Sequence, residues 1–157
     1  MPESSNENST GPVNRAALNQ AVGEIVVATP GPGMSDISRQ IAGWLNEQSA
    51  VDGLVTLFIR HTSASLTIQE NADPDVQSDL VDALSRLAPE HGPYRHGMEG
   101  PDDMPAHIKS ALTSTSLNVP VLDGAMALGT WQGIYVIEHR ARPHQRRVAL
   151  HFLGTVL

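Results

Sequence analysis

Residues 94–109, YRHGMEGPDDMPAHIK, gather two histidines, two adjacent aspartates and a lysine in a stretch whose sizeable aliphatic side chains are Met98, Met104 and Ile108. Imidazole nitrogens and carboxylate oxygens are donors that suit divalent metal ions. If Asp103 opens a helix, His107 lies four residues on, over the same face. There the carboxylate can share an ion with the imidazole or orient its ring. His96, eleven residues before His107, sits on a loop that can fold back. His61 closes an otherwise apolar strand. Three imidazoles, His61, His96 and His107, beside the carboxylates of Asp102 and Asp103, describe a catalytic site of zinc type with an open fourth position. No ligand consensus such as HExxH is present, and a plainer account stands beside this one. In it Asp102 or Asp103 caps a helix and the histidines are solvated. Lys109 can meet a phosphate, although two residues past His107 it points off that helix face.

A second group is HTSASLTIQENADPD. Thr62, Ser63 and Ser65 offer hydroxyls just past a strand end, and Glu70, Asn71 and Asp73 follow near a helix start. Hydroxyls at a helix start suit a phosphate, and carboxylates suit the Mg²⁺ that bridges phosphates. A Ser/Thr-rich turn followed by an ordinary N-cap explains the same residues. A third group, Gly129, Thr130, Trp131 and Gln132, combines close backbone approach with a flat stacking face. Its alternative is a bulge glycine with a core tryptophan. Glu138 shares a strand face with Ile134 and Val136, so it points inward and needs a cationic or metal partner. His139 takes the other face. The arginines at 140, 142, 146 and 147 read as a solvated hairpin tip.

These groups stand on a chain of 157 residues, enough for one domain with a real core. The formal charge of −7 argues against nonspecific binding to nucleic acid or anionic membrane. No cysteine is present, which excludes a thiol nucleophile and fits a reducing compartment. With no apolar leader and no run near the ~20 residues of a membrane helix, a soluble, cytoplasmic protein is expected. The polar residues 1–16 read as a disordered tail before a single domain over 17–157.

The element order comes from periodicity. A strand is expected at 18–29 and a helix at 35–49, capped by Ser35 or Asp36, with Ile37, Ile41, Trp44 and Leu45 on one stripe. Residues 53–61 read as a strand buried on much of both faces, and LTIQ as another extended piece. A helix begins after Asp73 with Pro74 in its first position, its buried stripe made by Val76, Leu80, Ala83, Leu84 and Leu87. A short helix covers 103–113. SLNVPVL and AMALG form a hairpin about Asp123-Gly124, a pair that favours a type I′ turn. Two more strands close the chain. The class is α+β, with helices beside antiparallel sheet.

Four stretches together, HTSASLTIQENADPDV, YRHGMEGPDDMPAHIKSAL, SLNVPVLDG and GTWQGIYVIEHR, resemble the YjbQ family, also called the UPF0047 or secondary thiamine-phosphate synthase family. The resemblance runs from about residue 18 to 156. It implies an α+β fold with a jelly-roll-like β-sandwich and about three helices, assembled as a homotrimer. It implies a polar pocket of histidines and carboxylates, holding a divalent metal ion in some members, zinc or magnesium. The implied activity joins a pyrimidine methyl diphosphate to a thiazole phosphate with release of pyrophosphate, so the partner is a small phosphorylated molecule. On that reading His61, His96 and His107 hold the metal, Asp102, Asp103 and Glu70 serve catalysis, and Thr62, Ser63, Asn71, Lys109, Thr130, Trp131 and Gln132 bind substrate. A non-catalytic metal- or metabolite-binding trimer and a metal-dependent hydrolase are the other readings the same residues allow.

Overall fold

The computed structural model describes residues 16–157; the tail expected over 1–16 lies, but for Ala16, outside the described residues. In chain order the elements are β1 (Asn19–Thr29), β2 (Gly33–Asp36), α1 (Ser38–Glu47), β3 (Ala50–Ile59), β4 (Ala64–Glu70), α2 (Pro74–Leu87), α3 (Asp103–Leu112), β5 (Ser116–Leu122), β6 (Ala125–Met126), β7 (Gln132–Glu138) and β8 (His144–Val156). They form two antiparallel sheets, one ordered β1-β8-β3-β5-β6 and the other β2-β7-β4. This is the α+β class that the periodicities imply.

The core lies between the sheets because apolar residues recur at every second position. Val55, Leu57 and Ile59 of β3 and Val148, Leu150 and Phe152 of β8 meet Leu66 of β4 and Ile134 and Val136 of β7. Helix α1 adds Ile41 and Leu45 to the same cluster. Its Trp44 lies against β1 at Gly23, where a Cβ would come within 2.4 Å of the indole nitrogen. The Asp123-Gly124 turn has positive φ at both residues, 50° and 80°, as the type I′ turn requires.

Three expectations are corrected. Strand β3 is covered on one face only: Leu54 and Phe58 on its other side are 40% and 49% exposed. The strand buried on both faces is β7, with Ile134 and Val136 in the core between the sheets and Tyr135 on the other side bonded to Gln77 of α2. Helix α1 starts three residues later than expected, because Gly33–Asp36 is taken up as a short strand against β7. Asp36 still serves the helix start, its Oδ1 accepting the Ser38 amide at 2.8 Å. Helix α2 begins as expected, with Asp73 accepting from the Asp75 amide. Its apolar stripe is only half-buried, and Leu87 is exposed. A helix on the outer side of a sheet has a neighbour on one side alone.

The sheets are also joined by charge. Glu138 at the end of β7 is buried, and its Oε2 accepts from Arg146 Nε at 2.6 Å and from the Thr29 hydroxyl at 2.6 Å. Arg146 is buried as well and donates to the Ser63 carbonyl and hydroxyl. Burial works to raise the Glu138 pKa, but the hydrogen bonds from Arg146 and Thr29 outweigh it and hold the carboxyl below its ordinary range. A depressed carboxylate pKa contributes stability that is present above the unfolded value and lost as pH falls through the folded one. Glu138→Leu strands a buried guanidinium and is expected to cost about 3 kcal/mol or more in chemical denaturation. In wild type the denaturation midpoint should fall as pH drops below ~4, and part of that slope should be missing in Glu138→Leu.

Candidate metal centre

Helix α3 is fastened to the end of β4 before any metal chemistry is considered. Pro105 and Ala106 are buried, and the Ser110 hydroxyl donates to the Ala64 carbonyl at 3.2 Å. This orientation turns Asp103 and His107, one helical turn apart, toward the Thr62 segment. The loop over residues 89–102 folds back and sets His96 over the same carboxylate. His96 Nε2 lies 2.7 Å and His107 Nε2 3.2 Å from Asp103 Oδ2. One nitrogen of each ring and one carboxylate oxygen lie within 4.8 Å of one another. The two ring centroids are 5.5 Å apart.

Arg140 holds this loop in place. Its Nε donates to Asp102 Oδ2 at 2.9 Å, its Nη1 to Asp103 Oδ1 at 2.7 Å and its Nη2 to the Glu99 carbonyl at 2.9 Å. The Ala141 amide adds a bond to Asp102 Oδ2. The Arg140 hydrogen bond keeps the Asp102 carboxyl below its usual range. For Asp103 burial pushes the other way, but His96, Arg140 and His107 outweigh it, so this carboxyl too is held ionised. Asp103 thus has Oδ1 engaged by a guanidinium and Oδ2 facing two imidazoles.

The protons of His107 follow from its neighbours. Its Nδ1 lies 3.0 Å from the Thr62 carbonyl, which can only accept, so Nδ1 carries a hydrogen. In the neutral ring Nε2 is then a lone pair, and it faces the ionised Asp103 oxygen. Two lone pairs at 3.2 Å repel unless a cation lies near both or the ring takes a second proton. Two imidazole nitrogens and one carboxylate oxygen are also a donor set that fits a divalent ion with an open coordination position. A carbonyl that fixes the tautomer and an arginine that fixes the carboxylate are the outer partners such a site requires.

The other candidate residues separate. His61 lies outside the trio: its Nε2 accepts the Arg147 amide at 2.7 Å, so that nitrogen is not available to a shared ion. Burial chiefly, with Arg146 next, pushes its pKa down, so the ring is neutral at pH 7. With Arg60, Thr62, Ser63 and Arg146 it lines a pocket of about 610 Å³. Lys109 donates to Ser85 of α2, off the His107 face. Glu70, Asn71, Thr130, Trp131 and Gln132 gather at the far end of the three-stranded sheet. Register shows why: Ala64 pairs with Glu138 and Glu70 with Gln132, so six extended residues, ~20 Å, separate the two ends. At that end Glu70 accepts the Asp73 amide, and Asn71 and Gln132 line a cleft with Asp36, Ser38 and Arg39. Trp131 is not a core residue; it is 63% exposed. The expected solvated basic tip is also corrected. Arg142 and Arg147 are exposed, whereas Arg146 is buried against Glu138 and Arg140 serves the aspartates.

Two features near the site have weak signals in the sequence. Arg140 looks like one more surface charge, because its partners lie 37 and 38 residues away. His139 faces away from Glu138, as the strand period requires, and its Nε2 lies 2.8 Å from the buried Ser65 hydroxyl. Burial, with Lys109 next, pushes its pKa down to about 4.

Comparison with known proteins agrees with this architecture. The family model described as UPF0047 protein YjbQ-like matches residues 23–155. A UPF0047 protein of Synechocystis is 52% identical over 133 residues, 84% of this chain and 90% of that protein. The UPF0047 protein YjbQ of Escherichia coli O157:H7 is 44% identical over 119 residues, 75% of this chain and 86% of that protein. Among solved structures, a YjbQ/UPF0047 protein of Clostridium acetobutylicum superposes with a TM-score of 0.77 at 36% identity, covering 82% of this chain and 98% of its own. A protein of Sulfolobus solfataricus described as YbjQ-like reaches 0.82 at 19% identity, covering 88% and 100%, a likeness of fold alone. The chain belongs to the YjbQ-like UPF0047 family.

Proposed function

We propose that the chain binds one divalent metal ion, zinc or magnesium, through His96, Asp103 and His107. We propose further that it works as a transferase like the secondary thiamine-phosphate synthases, joining a pyrimidine methyl diphosphate to a thiazole phosphate and releasing pyrophosphate. The observation that carries the reading is the convergence of two imidazole nitrogens on one carboxylate oxygen, with the His107 tautomer fixed by the Thr62 carbonyl. A bound cation would supply charge stabilisation to the departing diphosphate. This chain's own residues have distinct tasks. Asp103 presents one oxygen to the site, Asp102 and Arg140 hold it there, and Thr62, Ser63 and His61 wall the neighbouring pocket.

The reading includes a homotrimer in a cytoplasmic setting. The outer face of the five-stranded sheet leaves Val22, Val26, Leu54, Phe58 and Leu153 exposed, apolar area that a second copy would cover. The reading includes shared sites, in which a neighbour supplies Asn71, Trp131 and Gln132, because one copy holds these at the opposite end of the sheet from the trio. Among the described residues no helix is long and apolar enough to cross a membrane.

Elemental analysis of the purified protein is expected to find one zinc or an equivalent divalent ion per chain. His107→Ala should remove it, along with formation of thiamine phosphate from the two precursors, while the thermal unfolding profile survives. Full metal content in that variant would refute the ligand assignment. Bound metal without turnover above the His107→Ala level would leave a binding module. Light scattering should give three copies, and Phe58→Glu should lower that number and the turnover together; a monomer with unchanged turnover would reject the shared site.

A further inference from the structure

Resting on that reading, we infer that the pocket at the end of β3 is a pyrophosphate subsite beside the metal centre, with Arg60 and the His61 ring as its protein donors. The pocket, about 610 Å³, is lined by Phe58, Arg60, His61, Thr62, Ser63 and Arg146 among others. It adjoins the metal centre through one residue: the Thr62 carbonyl accepts from His107 Nδ1, and the Thr62 side chain is exposed at the pocket.

The electrostatics favour an anion. Arg146 is matched by Glu138, while Arg60 and Arg147 share the single carboxylate of Glu24. Three cations against two carboxylates leave one positive charge in excess at the rim of a chain whose formal charge is −7. Such a local excess draws phosphate to this end of the molecule. The donors are distinct. Arg60 has a side chain that is 59% exposed and gives Nη1 to Glu24, leaving other guanidinium N–H groups for a ligand. His61 has its tautomer fixed from behind: because Nε2 accepts the Arg147 amide, Nδ1 is the protonated nitrogen of the neutral ring. A fixed N–H donor costs little reorganisation when an anion arrives.

The test uses inorganic pyrophosphate and calorimetric titration of the full chain, first stripped of metal by a chelator that is then removed. Metal-free wild type should bind pyrophosphate, more weakly as salt rises. Arg60→Ala should lose about tenfold or more in affinity, the worth of a charge-assisted hydrogen bond, with Arg60→Lys recovering part of it. Arg60→Ala should keep wild-type metal content. Arg86→Ala, which removes an exposed charge on α2 outside the pocket, should keep the wild-type pyrophosphate affinity within about twofold. Wild-type affinity in Arg60→Ala, or no binding by metal-free wild type, overturns the subsite and leaves the metal proposal standing. An equal loss of metal-free binding in Arg86→Ala would also overturn it, because net charge alone would then account for the binding, whereas failure of the metal assignment alone is read separately from the elemental analysis.

Discussion

One carboxylate, Asp103, organises the charged end of this molecule. It is buried, and a buried carboxylate persists ionised only with several partners. Here Arg140 takes one oxygen, and His96 and His107 crowd the other. Each partner arrives from a different part of the chain: a loop, a helix and the segment after β7. The loop has no large apolar anchor near the site, since Met98 is 95% exposed and the loop is mostly polar. The geometry there is set by charge and hydrogen bonding, with the packed sandwich acting as the rigid base. That division of labour suits a site that must present polar atoms to a ligand without burying them in the core.

The amino-acid pattern reveals the sandwich better than the site. Alternation along β8, with Val148, Leu150 and Phe152 inward, is a local property and survives tertiary context. Asp73 with Pro74, and Asp123 with Gly124, are local signals of the same kind and hold. The trio of His96, Asp103 and His107 was legible because helical spacing and one reversible loop bring its members together. The reading of His61 as a third ring on that ion was not upheld by the geometry, because the Arg147 amide that occupies its Nε2 comes from a strand 86 residues away. The HTSAS and QEN pieces look like one constellation because few residues separate them. Extended chain converts those few residues into the length of a sheet, which places Ser63 and Asn71 at opposite ends. Like charges clustered near a turn suggest solvation, and for Arg140 and Arg146 the opposite holds. Arg146 meets Glu138 only once β7 and β8 lie in separate sheets, and Arg140 meets Asp102 and Asp103 only once α3 packs beside β4.

The three consecutive residues at the end of β7 tie these levels together. Glu138 points between the sheets and holds Arg146; His139 points to the helix side and meets Ser65; Arg140 leaves the ladder and clamps the two aspartates. Side chains alternate across a strand, so a slip of one residue would exchange the first two. An imidazole would then face the buried guanidinium, and a carboxylate would face the Ser65 and Thr113 hydroxyls. Both exchanges would leave a buried charge without its partner, a cost of several kcal/mol on general grounds. The register of β7 against β2 and β4, where Glu138 pairs with Gly33 and with Ala64, is therefore specified by polar partners as well as by apolar rows. Because Arg140 follows directly, the same register fixes where its guanidinium emerges. The position of Asp103 over the two imidazoles is in this way a consequence of strand pairing in the core, and the candidate metal centre inherits its precision from the sandwich beneath it.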